Sequence, residues 1–302
     1  MHMRGIFILI IAIMLWGIAI APTKWALHSF PPFTLLFLRL SLAGCLFFPF
    51  HWKEIRQTYI PWNRIIVLSF TGVAGYFMFT SYGISLTSGM HVSIIDATLP
   101  LFTIMFAAFF LQEKINWKYW IGMFLGMCGV LLITIPLNER ESTSSLIGDL
   151  LILASAILFA IYNILLKQPK EEANFSSGAF TTLTLLVGAI IVLPFTIFEV
   201  SYRGIPDVIT WKAWGSLVYL IVGPTILAYL LWNKALEEVS AAVGGMYLNV
   251  LPLVSIMASA ILLDEVITWR IVVGGGLVLL AIIWADQEKF KILFRSVLSK
   301  SK

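Results

Sequence analysis

Apolar residues run together in ten blocks of roughly 18–23 positions, and polar residues are confined mostly to the short joints between them. The blocks are Gly5–Leu27, Phe33–Phe50, Arg64–Leu86, His91–Leu111, Trp117–Pro136, Leu146–Lys167, Ser176–Phe198, Trp211–Asn233, Ser240–Leu262 and Trp269–Asp286. A helix of that length covers the roughly 30 Å of hydrocarbon in a bilayer. Strands of a membrane barrel would alternate apolar and polar residues over about ten positions. These blocks are continuously apolar, so the pattern predicts an all-α polytopic membrane protein with ten transmembrane helices. The first block exceeds a signal-peptide core of about 7–15 residues. Pro22 directly follows the cleavage-like Ala19-Ile20-Ala21, so an uncleaved first helix is expected.

One segment occurs twice. Leu99-Pro100-Leu101, Glu113 and Trp117 recur as Leu251-Pro252-Leu253, Glu265 and Trp269, always 152 positions later. Trp16, Gly17 and Lys24 align more weakly with Phe159, Ala160 and Lys167. The polar stretch Asn138–Ser145 separates the copies, giving repeats 1–140 and 141–302 of five helices each. An odd number of crossings makes the second copy enter from the opposite side. The expected architecture is therefore two inverted five-helix repeats around a central cavity, a plan common among secondary transporters.

Composition agrees: 60% of residues are hydrophobic and 12% charged, against about 45–50% and 25% in soluble domains. With the N-terminus inside, fourteen of the 20 Lys and Arg lie on the inner side and five on the outer, with Arg39 inside a helix. The positive-inside bias places both termini in the cytoplasm of a multi-pass plasma-membrane protein. Cys45 and Cys128 both fall inside blocks and suggest neither a disulfide framework nor a metal site.

Together these features resemble the drug/metabolite transporter superfamily, specifically its ten-helix EamA type. The residues that carry the likeness are Trp16-Gly17, Pro31-Pro32, Arg39, the two Pro…Glu…Trp…Gly units, and the small-residue approaches Thr87-Ser88-Gly89 and Ser240-Ala241-Ala242. The resemblance implies a basket of helices, alternating access, a bacterial plasma membrane, and export of amino acids or other small metabolites.

Charge inside the membrane is the sharpest chemical signal, because it needs a partner or a watery cavity. Arg39 and Asp96 sit at matching depth on the second and fourth blocks. They form either a salt bridge between helices or a site where Asp96 takes a substrate amine or a proton; alternatively, Asp96 reaches outer water. Ser93, Asp96, Pro100, Thr103 and Ala107 share a stripe, matched by Gly245, Leu248, Pro252, Ser255 and Ser259. Such stripes suit a pore or close packing equally. Pro100 and Pro252 are expected to kink their helices near the midplane and to act in gating. Trp16, Tyr76, Tyr162, Asn163, Tyr229, Tyr247 and Asn249 are the deeper aromatic and amide candidates for lining a substrate site. Tyr82, Trp117, Trp211, Trp232 and Trp269 read as interfacial anchors. Glu113 and Glu265, each before a Trp, are expected to orient the turns that follow the fourth and ninth blocks.

The leading function is secondary transport of a small molecule, with proton or ion coupling and homo-oligomer formation as open possibilities and the lipid bilayer as setting. No nucleic-acid partner, cofactor or metal is expected. ATP-driven transport is disfavoured by the lack of a Walker-type phosphate loop. The alternatives are an intramembrane enzyme, for which no paired His/Glu or Ser/His motif appears at depth, and a membrane scaffold or sensor. The charge bias makes one prediction. Reporters fused after Lys302 and within residues 167–174 report cytoplasm, and one within 138–145 reports the outside; an outside signal at the C-terminus contradicts the inverted arrangement.

Overall fold

The structure, a computed structural model, describes residues 2–86, 95, 98–113, 115–134, 146–167, 176–204, 208–262 and 269–285. Each of the ten blocks contains helix. We number them α1 (His2–Ile18, continued by Ile20–Leu27), α2 (Pro32–Gln57), α3 (Trp62–Ser69 to Gly75–Leu86), α4 (Leu99–Phe110) and α5 (Trp117–Thr134). The second half adds α6 (Leu146–Lys167), α7 (Ser177–Arg203), α8 (Trp211–Leu220 to Ala228–Glu238), α9 (Ala241–Tyr247 and Val250–Leu262) and α10 (Trp269–Ala285). Six of these spans are long and apolar enough to cross a membrane. His91, Asp96, Glu265 and the joint between the halves lie outside the described residues.

Local chemistry explains several helix ends. Ser176, Thr210 and Ser240 are N-caps of α7, α8 and α9, their hydroxyls accepting from Ala179 N, Ala213 N and Val243 N at 3.2 Å each. Gly204, at φ 78°, ends α7 in a conformation that a side chain would strain.

The packing joins the two halves throughout. α1 packs on α8, α3 on α6, α2 on α7, α4 on α9, and α5 on α10. If helices 1–5 correspond to helices 6–10, every one of these pairs maps onto itself or onto another in the set, the pattern a twofold relation produces. Two buried apolar clusters result, and Trp16 packs against both. Large apolar side chains elsewhere point outward, such as Phe50 at 78% exposure and Phe109 at 74%. In a bilayer these surfaces meet lipid.

The α2–α7 pair shows a correspondence that the sequence reading missed. Pro49 and Glu54 in α2 align with Pro194 and Glu199 in α7 at an offset of 145. Glu199 accepts from Thr34 N at 2.8 Å and Thr34 Oγ1 at 3.0 Å, at the start of α2. Glu54 accepts from the Ser176 backbone and, at 2.7 Å, from Ser176 Oγ at the start of α7. Each helix thus ends on a carboxylate that satisfies orphan donors at the other's beginning.

Glu113 belongs to the same class. It does not merely orient its own turn: its carboxylate reaches the start of α9, accepting from Ala241 N at 3.1 Å and Ala242 N at 3.3 Å. The expected mid-helix kinks also take a more local form. α4 begins at Leu99, so Pro100 stands in its first turn, where a missing N–H costs little. Just before it, Thr98 N bonds Ile95 O at 2.9 Å in a tight turn. In α9 the helix breaks at Leu248 and Asn249. Pro252 cannot donate to Leu248 O, and Leu251 N takes that carbonyl at 3.0 Å. At Thr103 and Gly245 the two small-residue stripes come close together: a methyl group on Gly245 would sit 2.8 Å from Thr103 Cγ2.

The reciprocal caps predict that Glu54→Ala and Glu199→Ala each lower stability by about 0.5–2 kcal/mol. Thermal melting in detergent checks this; parental melting of both variants would show the caps to be incidental.

Candidate functional site

Most helix carbonyls are bonded within their own helix, but two short π-turns release some. α3 contains one at Phe70–Ala74 and α8 another at Ile221–Leu227. They lie 152 positions apart, the offset of the duplicated segment, so the irregularity itself is repeated. In α8 its cause is visible. Pro224 has no N–H to give Leu220 O, which accepts Thr225 Oγ1 at 2.6 Å instead. Ala228 N then reaches back to Gly223 O, leaving Pro224 O without its ordinary partner. In α3 the Gly75 N–H likewise reaches Phe70 O.

Both turns are completed from the opposite half. Trp16 Nε1 of α1 donates to Pro224 O at 3.0 Å. Tyr229 Oη of α8 donates to Gly72 O at 2.6 Å. Gly72 and Pro224 occupy equivalent places in the two copies. Glycine at 72 is required by packing, since a Cβ there would overlap the Tyr162 ring.

Around these bonds the rings close into one cluster. Trp16 lies 5.3 Å from Tyr229, 5.2 Å from Trp232 and 5.9 Å from Phe159. Phe159 touches Tyr76 at 4.9 Å and Tyr162 at 5.7 Å. Trp16 and Phe159, matched by the weaker alignment of the halves, meet edge to face. Polar tips are satisfied at the cluster's border: Tyr162 Oη donates to Asn233 Oδ1 at 2.6 Å, Asn233 Nδ2 to Thr181 Oγ1 at 3.0 Å, and Trp232 Nε1 to Asn163 Oδ1 at 3.0 Å.

Trp16, Tyr76, Tyr162, Asn163 and Tyr229 are therefore brought together. Arg39 joins them from α2. It is 7% exposed, donates to Thr225 Oγ1 at 3.1 and 3.3 Å, and lies 5.1 Å above the Phe77 ring, which neighbours Tyr229. Its proposed pairing with Asp96 falls outside the described residues. Tyr247 is buried in the cluster's surround, on α9. Asn249 turns away from it and bonds Met246 O at 3.0 Å in the α9 break, against Gly126 of α5.

One assignment needs correcting. Trp232 is no interfacial anchor; it is fully buried at the centre. Next to last in its block, it looks terminal because α8 is longer than its apolar run, extending to Glu238. Trp117, Trp211 and Trp269 are exposed, as anchors should be. Thr181 and Thr225 carry too weak a signal to stand out, since a lone Thr in an apolar run is common. The cue for Thr225 was Pro224 inside a helix.

This is the fold of a helical membrane carrier, with interlocked halves and an aromatic, donor-lined centre. The sequence matches the EamA-like transporter family over residues 3–135 and again over 146–285, and the chain belongs to that family. It is 29% identical over 283 residues to an uncharacterized transporter of Archaeoglobus fulgidus, covering 93% of this chain and 98% of that one. It is 27% identical over 283 residues to a probable amino-acid metabolite efflux pump of Escherichia coli, covering 89% and 90%. A protein of known crystal structure superposes with a TM-score of 0.79 at 18% identity, over 94% of this chain and 98% of its own. The protein is thus a multi-pass membrane transporter and not an enzyme.

The interlocking bonds predict that Tyr229→Phe, which removes the bond to Gly72 O, lowers stability by about 0.6–2 kcal/mol, the range for hydrogen bonds between membrane helices. Thermal unfolding in detergent measures it; an unchanged midpoint would mean the bond contributes nothing.

Proposed function

We propose that the protein is a secondary exporter of amino acids or related small metabolites, working by alternating access between two inverted repeats, residues 1–140 and 141–302, with both termini in the cytoplasm. The observation that carries this reading is the pair of cross-half bonds that end on equivalent carbonyls, Trp16 to Pro224 O and Tyr229 to Gly72 O. They join the halves through two groups that can be exchanged without unfolding a helix. The name of the Escherichia coli relative favours amino-acid metabolites as cargo, and the lysine and arginine bias favours the orientation.

The substrate meets the chain at the aromatic centre. Trp16, Tyr76 and Tyr229 offer flat apolar faces, and Asn163 and Arg39 offer donors. Pro100 stands in the first turn of α4 and Pro252 next to the break in α9, places where a helix can bend without losing a ladder bond. Reconstitution tests the function. Vesicles carrying the protein and preloaded with unlabelled amino acids accumulate the labelled form by counterflow, and protein-free vesicles do not. Equal uptake by both would overturn the reading. In the same assay Pro100→Ala and Pro252→Ala fold but exchange more slowly; exchange at the parental rate by both would leave the prolines as packing features.

A further inference from the structure

We propose that the transported molecule carries an acid group, and that Arg39 binds it. The inference rests on the transport reading above and specifies the substrate's chemistry.

The argument is a balance of donors and acceptors. Arg39 is nearly buried, yet among the described residues it has no carboxylate partner; a hydroxyl and a ring face are its neighbours. The sole buried acid among those residues, Glu199, is engaged with Thr34. A buried charge left without a counter-ion is costly. At the other border of the aromatic cluster, Asn163 is fully buried. Trp232 Nε1 can only donate, which fixes the Asn163 oxygen toward it and turns the amide nitrogen the other way. That nitrogen has no acceptor among the described residues. Acceptors at the centre, by contrast, are occupied: Gly72 O, Pro224 O, Asn233 Oδ1 and Thr181 Oγ1 each receive a donor. Among the described residues the centre offers one unused donor, the Asn163 nitrogen, and one cation with no carboxylate beside it. The ligand that completes it brings acceptors and negative charge, which is a carboxylate or a similar anion rather than a lone amine. Guanidinium suits this task because its planar fork matches a carboxylate edge. The same binding acts on the fold: an acid on Arg39 competes for the donors that hold Thr225, and Thr225 is part of the α8 π-turn.

The test compares acids with their amides on the purified full-length protein. The probes are L-leucine, L-phenylalanine, L-glutamate, 4-methyl-2-oxopentanoate and succinate, each paired with the compound in which CONH₂ replaces the acid. Thermal stabilisation in detergent and counterflow in vesicles are both read. Acids are expected to stabilise the protein and their amides not to. In Arg39→Gln the apparent Kd of a stabilising acid is expected to rise at least about 30-fold, with Arg39→Lys falling between. Since Arg39→Gln removes a buried charge that has no carboxylate partner among the described residues, the ligand-free variant is expected to melt no lower than the parent.

Amides that stabilise as well as acids, or Arg39→Gln protein that binds acids at parental affinity, would overturn the assignment. So would an absence of stabilisation by every acid. A lower ligand-free melting point in Arg39→Gln would reveal an internal counter-ion and also overturn it. Acids that stabilise through Arg39 but show no counterflow would leave the assignment standing and remove the transport reading. Counterflow of amines or amides alone would do the reverse.

Discussion

Inside a bilayer no water completes an unfinished hydrogen bond. That constraint organises this protein. Its α8 π-turn releases the Pro224 carbonyl at the depth where solvent is scarcest, and Trp16 of the opposite half completes it, while Tyr229 reaches across to Gly72 O in the α3 turn. The aromatic cluster follows from this need, since a donor that must reach a carbonyl between apolar helices is best carried on a large apolar ring. The same economy governs the helix ends. Glu54, Glu113 and Glu199 each spend a carboxylate on the first backbone donors of a helix in the other half. At least one polar contact of this kind therefore marks most of the pairings between halves.

The consequence for function is mechanical. Apolar packing alone gives membrane helices little preference for one neighbour over another, because lipid offers similar contacts. Polar bonds placed at equivalent points give the interface discrete arrangements. On the proposed reading, a substrate that competes for Arg39, and through it for Thr225, acts on one such point, and the α8 π-turn carries both that point and the Trp16 contact. Binding at the centre and packing between the halves are then one problem in hydrogen bonding.

Much of this was legible in the sequence. Ten apolar blocks gave ten helical spans, and the 152-residue repeat of Pro, Glu and Trp led to the family. Trp16, Tyr162 and Tyr229 stood out because polar aromatic groups at depth are few. What escaped notice has physical reasons. The π-turns have no sequence signature beyond Gly72 and Pro224, and these look alike only once their places in the fold coincide. The 145-residue correspondence of Pro49 and Glu54 with Pro194 and Glu199 was hidden because the two intervals differ by seven residues, so one offset could not reveal both. Glu113 was recognised as structural, but its partner lies 128 residues away on α9, and a local reading of a helix end cannot supply that. Trp232 was misplaced because apolar run length is a poor measure of helix length when the last turns are polar.

On the alternating-access proposal, the halves separate and rejoin at these polar contacts during transport. The contact of Glu113 with Ala241 allows it to be tested directly. In a protein with Cys45 and Cys128 replaced by Ser, Glu113→Cys and Ala241→Cys place two thiols across the interface between α4 and α9. Exchange in vesicles is measured before oxidation, after oxidation and after reduction. The account predicts that the disulfide stops exchange and that reduction restores it. Exchange at an undiminished rate with the cross-link fully formed would contradict the account, because that end of the interface would then play no part in the transport cycle.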